Sequence, residues 1–233
     1  MAKVHYDVGL KMTTLQTLLG WLYLPCFAVL TSLGIQLLAG LLNRQLDGLT
    51  LNILYMSVNL VFVLLVYHRF LARSFRGFTE HFWPFIQTLI LGFAMYYVFS
   101  IVLALPLTLL GDTTENNKAV VSLLSENNAV MLVFTVLAAP IVEEILFRGV
   151  VFGSLHRKNR ILAYAASVVC FALVHVWQFA ATLSVPELAA NCLVYIGPSI
   201  ALGWTYEKSG TILCPILLHA IINALACGIN LAL

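Results

Sequence analysis

Charge is what this sequence has least of: Lys, Arg, Asp and Glu make up 9% of its 233 residues, while 61% are hydrophobic. An ordinary soluble domain is about one quarter charged, and a mean hydropathy of +0.97 places this chain in a bilayer. Cysteine is scarce too. Cys26, Cys170, Cys192, Cys214 and Cys227 show no CxxC spacing and fall in or beside apolar runs. They read as small hydrophobes, not as a disulfide framework or a cysteine zinc site. The sequence contains no HExxH, no GxSxG, no low-complexity segment and no clear internal repeat. These absences weigh against a zincin helix, a serine-hydrolase elbow and an inverted-repeat transporter.

What the chain does have is apolar sequence in long runs. Hydrocarbon about 30 Å thick needs roughly 20 apolar residues per spanning helix. Seven segments meet that need, near residues 15–42, 51–68, 84–110, 129–154, 161–183, 188–206 and 211–232. The expected fold is all-α: a polytopic transmembrane helical bundle of seven spans with a buried polar active site, forming one integral membrane domain over residues 1–233. An eighth helix would have to come from RSFRGFTEHFWPF or from the acidic connection GDTTENNKAVVSLLSENN. The first segment is too long for a signal-peptide core and lacks a small-x-small cleavage site, so it reads as a retained signal anchor.

Assigning the connections alternately to two sides gathers Lys3, Lys11, Arg69, Arg73, Arg76, Arg157, Lys158, Arg160 and Lys208 on one side, against Arg44 and Lys118 on the other. The positive-inside rule then gives a cytoplasmic N-terminus. The basic clusters read as orientation signals, and no nucleic-acid partner is expected. Compact length and the lack of transit features point to a bacterial inner (cytoplasmic) membrane; an endoplasmic-reticulum membrane would also fit the fold. His5, His68, His81 and His156 lie in flanks or connections, and Trp21, Tyr67, Trp83, Trp204 and Tyr206 near span ends are ordinary interfacial anchors.

Ionisable groups at bilayer depth cost roughly 2.5–3.5 kcal/mol each on insertion scales, so they persist where they pair, face a cavity or work. Glu144 and Arg148 are four residues apart in the fourth segment, on one helical face and able to form an ion pair. Glu143 is turned about 100° from Glu144 and points elsewhere. The fifth segment supplies FALVH, ending at His175, and the seventh supplies HAIIN, with His219 and Asn223 one turn apart. Measured from the cytoplasmic helix ends, Glu143 should lie roughly 18 Å deep, His175 roughly 21 Å, His219 roughly 12 Å and Asn223 roughly 18 Å. One buried cluster is geometrically possible. Pro140 should free the carbonyl of Val136 and open or bend the helix before the carboxylates, and Gly197 with Pro198 can do the same in the sixth segment. Gly149 and Gly153 have small-xxx-small spacing, which reads as helix packing.

At these residues the chain resembles the CAAX protease and bacteriocin-processing family of intramembrane proteases, which includes the Ras-converting CAAX endopeptidases. The three family motifs EExxxR, FxxxH and HxxxN stand in order as EEILFR from Glu143, FALVH from Phe171 and HAIIN from His219. ALGWTYEKSGTILCPILLHAIINAL also looks like the family's last block. The resemblance covers residues 130–228, the expected catalytic core, and does not extend over the first half. It implies that the first glutamate and first histidine activate water and that the last motif stabilises the transition state.

Peptide hydrolysis needs an activated water, a proton donor for the leaving amine and donors aimed at the oxyanion. The residues read the same way: Glu143 and His175 share the water, His219 and Asn223 face the oxyanion, and Glu144 with Arg148 holds the fourth helix. No cofactor is expected. The alternative is zinc held by Glu143, His175 and His219, with a fourth position open. The expected activity is an endopeptidase acting near the cytoplasmic half of the bilayer on a membrane-associated peptide or protein, CAAX-like in the resemblance. Two readings compete with it. One is a non-catalytic membrane interaction or bacteriocin-immunity protein that uses the polar cluster as scaffold; the other is a transporter.

Overall fold

Thr13 opens the first helix of the computed structural model: its hydroxyl accepts from the Gln16 N–H, and the Gln16 side chain accepts from the Thr13 N–H in return. This capping box satisfies two donors that a helix start would otherwise orphan. The structure describes residues 11–109, 114–126 and 128–232; Lys3, His5 and Asp112 lie outside them. Helix α1 runs Thr14–Leu41 and passes into a π segment, Cys26–Leu30, directly after Pro25. Asp47 starts α2 (Gly48–Glu80) by accepting the Thr50 N–H at 2.6 Å. Helix α3 (Phe82–Leu109) follows after one residue, and α4 (Glu115–Glu126) lies in the acidic connection.

Helix α5 spans Ala129–His156, and α6 spans Arg160–Phe179. Asn159 caps α6 by accepting from the Leu162 N–H at 3.0 Å. Helix α7 (Val185–Ser209) begins with a Ser184–Glu187 capping box and stops at Gly210, whose φ of 64° suits glycine. Helix α8 runs Leu213–Ala232.

Among the described residues every regular element is helical, and each of the seven expected segments falls on a helix. Six of these helices are long and apolar enough to cross a membrane; the apolar stretch of α8, Leu213–Gly228, is shorter. RSFRGFTEHFWPF forms no separate eighth helix. Tyr67, Phe70 and Ser74 are fully buried at helical spacing, so α2 continues beyond the expected end at residue 68 with Arg69, Arg73 and Arg76 on its exposed side. The acidic connection does add an element, the short α4.

Helix α5 is central: 56% of its apolar window is buried, against 11% for α1 and for α3. Leu37, Leu65 and Ile101, by contrast, are about 70% exposed, as lipid-facing positions should be.

The start of α1 and the α2–α3, α5–α6 and α7–α8 connections meet at one end. There Arg73 donates to the Lys11 carbonyl at 3.1 Å, and Thr211 to the Ser74 carbonyl at 2.9 Å. Glu207 accepts from Arg160 at 2.7 and 2.9 Å and from Tyr164 at 2.7 Å. Val150, Val151, Phe152, Tyr206 and Ile212 fill this end with no exposed surface. Gly20 lets α1 touch α5, since a Cβ there would overlap Val150 and the Tyr67 hydroxyl. In lipid such packing holds by van der Waals contact, because tails are as apolar as the side chains. All five cysteines are free thiols.

Candidate active site

Two π segments, Phe134–Ala138 and Ile145–Phe152, flank the glutamates of α5. In the first, the Ala139 N–H bonds the Phe134 carbonyl, five residues back. The same register would pair residue 140 with Thr135, but Pro140 has no N–H. Asn223 on α8 supplies the missing donor, its Nδ2 lying 2.9 Å from the Thr135 carbonyl. The sequence reading freed Val136, as α geometry dictates; the π register moves the orphan carbonyl to Thr135. Pro140 thus ties α8 to α5. Gly197 and Pro198, in turn, leave α7 continuous from Val185 to Ser209.

The side chain of Glu143 is 11% exposed, and its Oε2 lies 3.6 Å from His175 Nε2. His175 Nδ1 lies 2.7 Å from the Phe171 carbonyl. A carbonyl only accepts, so Nδ1 carries a proton, and in the neutral ring Nε2, facing Glu143, is the acceptor. Tyr195 stacks on the imidazole with ring centroids 4.6 Å apart. Backbone anchor and stacked ring together fix the direction in which His175 points.

Glu144 faces the other way and is fully buried. Its Oε1 accepts from Arg148 Nη1 at 2.9 Å and from His219 Nδ1 at 2.7 Å. Arg148, also fully buried, donates from Nη2 to Ser199 Oγ at 2.9 Å and lies 4.4 Å over the Phe171 ring. Two buried charges are expensive to desolvate, and closeness, the Ser199 bond and the Phe171 ring offset that cost, although Arg148 Nε and Glu144 Oε2 have no hydrogen-bond partner among the described residues. The expected Glu144–Arg148 ion pair is present. Its reach is longer than expected, for Ser199, Arg148, Glu144 and His219 form one chain across α7, α5 and α8.

Depth counting set His219 nearer the basic end than the glutamates, yet it touches Glu144. Ser209, Thr211 and Ile212 are buried, so the α7–α8 turn sits inside the bundle and α8 starts well below the surface. The structure therefore brings Glu143 to His175, Glu144 and Arg148 to His219, and Asn223 to the helix wall beside them.

A cavity of about 660 Å³ reaches Glu143, His175, His219 and Asn223. The first half of the chain, silent in the motif reading, supplies one wall through Phe27, Asn52 and Tyr55. Ser199, Thr135, Tyr195 and the ring of Phe171 also went unassigned in sequence; Phe171 was visible only as a motif letter. Zinc would need Glu143, His175 and His219 to converge. Among the described residues no three His, Cys, Asp or Glu side chains form a metal-holding group. His219 Nδ1 bonds Glu144, which leaves Nε2 as the open nitrogen of that ring.

Residues 125–225 match the family model described as type II CAAX prenyl endopeptidase Rce1-like. The chain is 30% identical over 135 residues to "Putative membrane peptidase YdiL" of Bacillus subtilis, covering 58% of this chain and 47% of that protein. It is 24% identical over 139 residues to "Membrane-embedded CAAX protease MroQ" of Staphylococcus aureus, covering 58% of this chain and 53% of that protein. The chain thus spans about half the length of these curated relatives. No solved structure matches it. The resemblance read from the three motifs is borne out over the segment that carries them.

Proposed function

Starting from the match of residues 125–225 to Rce1-like CAAX endopeptidases, we propose that the protein is an intramembrane endopeptidase in which Glu143 and His175 activate water. The observation that carries this reading is the Glu143 Oε2 to His175 Nε2 pair, 3.6 Å apart and facing the cavity. At that separation a water bonded to both atoms sits off the line between them, on the cavity side.

Glu143 takes a proton from this water as its oxygen attacks the peptide carbonyl carbon. Charge develops on the carbonyl oxygen, where His219 Nε2 and the second N–H of Asn223 serve as donors. His219 donates from Nε2 in its protonated form, because Nδ1 already donates to Glu144. The C–N bond then breaks, and the proton held by Glu143 passes to the leaving amine. Glu144 and Arg148 are positioning residues: they fix the His219 ring from behind. Phe171 positions His175 through its carbonyl and Arg148 through its ring.

The proposed substrate is a membrane-associated peptide or protein, cleaved in an integral inner-membrane setting, and the proposed chemistry needs no metal. Detergent-purified wild type should cleave members of a peptide library, and Glu143→Gln should cut them about 10²–10⁴-fold more slowly. A chelator should leave the wild-type rate unchanged. Full activity in Glu143→Gln would overturn the assignment of the base; chelator-sensitive cleavage would overturn the metal-free mechanism. Normal biological complementation by folded Glu143→Gln would favour the interaction protein instead.

A further inference from the structure

The cavity occupies one half of the bundle only. Its walls include Gln36 and Gly48, on either side of the α1–α2 connection, Asn116 on α4 and Gln178 at the end of α6. These positions mark the end away from the basic clusters. Toward the other end the helices close up, with Tyr67, Phe70, Val150, Phe152, Tyr206 and Ile212 fully buried. That packed end carries Lys11, Arg69, Arg73, Arg76, Arg157, Lys158, Arg160 and Lys208, whereas Arg44 and Lys118 stand at the hollow end. A bias of this size sets orientation, with the basic end cytoplasmic.

The wall chemistry is equally one-sided. Gln36, Asn52, Asn116, Asn117, Gln178 and Asn223 line the cavity, and among the described residues Glu143 is the sole Asp, Glu, Lys or Arg in its lining. A carboxamide offers both donor and acceptor, as a peptide group does. Such walls can pair with an extended backbone, while they offer no Lys or Arg to balance an acidic side chain buried beside the scissile bond.

Resting on the endopeptidase reading, we propose that the site admits its substrate from the outer face of the membrane, as an extended peptide stretch free of acidic side chains. This replaces the expectation of cleavage near the cytoplasmic half. Pro140 and the π segment Phe134–Ala138 interrupt α5 on the outer side of Glu143, and the dry packing on the inner side leaves a cytoplasmic peptide no path to Glu143.

The face is tested without reference to activity. In a full-length chain whose five cysteines are replaced by alanine, Asn52→Cys, Gln178→Cys and Arg157→Cys are each exposed to a membrane-impermeant maleimide in intact spheroplasts. Asn52→Cys and Gln178→Cys should label at least about tenfold faster than Arg157→Cys, which should need lysis. Gln178 sits at a helix end on the surface and reports the face even where the cavity variant folds poorly. Labelling of Arg157→Cys alone in intact spheroplasts, or of none of the three before lysis, would overturn the outer-face assignment.

The substrate class is tested on purified wild type with a library of uncharged extended octapeptides and the same library carrying Asp on both sides of the central bond. The uncharged set should be cut about tenfold faster or more. Equal rates would overturn the acid exclusion. No cleavage of either set would sink the endopeptidase reading and the substrate class together, with the labelled face decided independently.

Discussion

Where Lys11, Arg73 and Arg157 gather, the helices interlock and Val150, Phe152, Tyr206 and Ile212 have no exposed surface; at the opposite end the same helices part around a cavity of about 660 Å³. Helix α5 belongs to both regions. Beyond Glu144, residues 145–153 are all buried in packed surroundings. Before Glu143 lie Pro140 and a π segment whose orphan carbonyl needs a side chain from α8. The two glutamates stand on the border, one facing each region. Their surroundings differ accordingly: Glu144 is held by Arg148 and His219, whereas Glu143 meets one imidazole and the cavity. Adjacency in sequence thus turns the two carboxylates to different surroundings through the helical turn of about 100° per residue.

Breaking the packed side should have the largest effect. Arg148→Leu leaves Glu144 buried with only His219 against it and should destabilise the folded protein by about 3–5 kcal/mol. Thermal unfolding in detergent would register this, and an unchanged midpoint would mean that the pair adds no support. A smaller loss is expected where α1 meets α5: Gly20→Ala overlaps Val150 and Tyr67 and should cost about 1–3 kcal/mol. That variant should keep its cleavage specificity, since Gly20 lies outside the cavity lining.

The smallest effect sharpens the hollow side. Asp47 accepts from the backbone N–H and the hydroxyl of Thr50, which holds its carboxyl below the ordinary carboxylate range. A folded value below the unfolded one adds stability above the ordinary range, and that stability is lost as pH falls through the lowered value. Midpoints measured against pH should show this acid limb in wild type and a flatter one in Asp47→Asn.

Periodicity and composition made the spans legible, because a lipid-facing helix announces itself by length and apolarity alone. The motif residues were legible as well, because charge at bilayer depth is conspicuous. The contacts between them were not. That His219 meets Glu144 depends on the buried turn at Ser209–Ile212, and no depth count from helix ends anticipates a turn folded into the bundle. Ser199, Tyr195 and Thr135 are ordinary residues in sequence, and only tertiary packing directs them at Arg148, His175 and Asn223. The cavity wall from Phe27, Asn52 and Tyr55 was hidden for the same reason. The α2 extension was present as a pattern, with Tyr67, Phe70 and Ser74 on one face, but basic residues interrupted the hydropathy that marked the span.

The division between the two glutamates is tested most directly by measuring the turnover and thermal midpoint of Glu143→Gln and Glu144→Gln side by side. Glu143→Gln should lose about 10²–10⁴ in turnover while its midpoint stays at or above that of wild type. Glu144→Gln should lower the midpoint, because Arg148 loses the partner that balances its buried charge. Turnover retained in Glu143→Gln, or a midpoint lowered in Glu143→Gln and untouched in Glu144→Gln, would contradict the account.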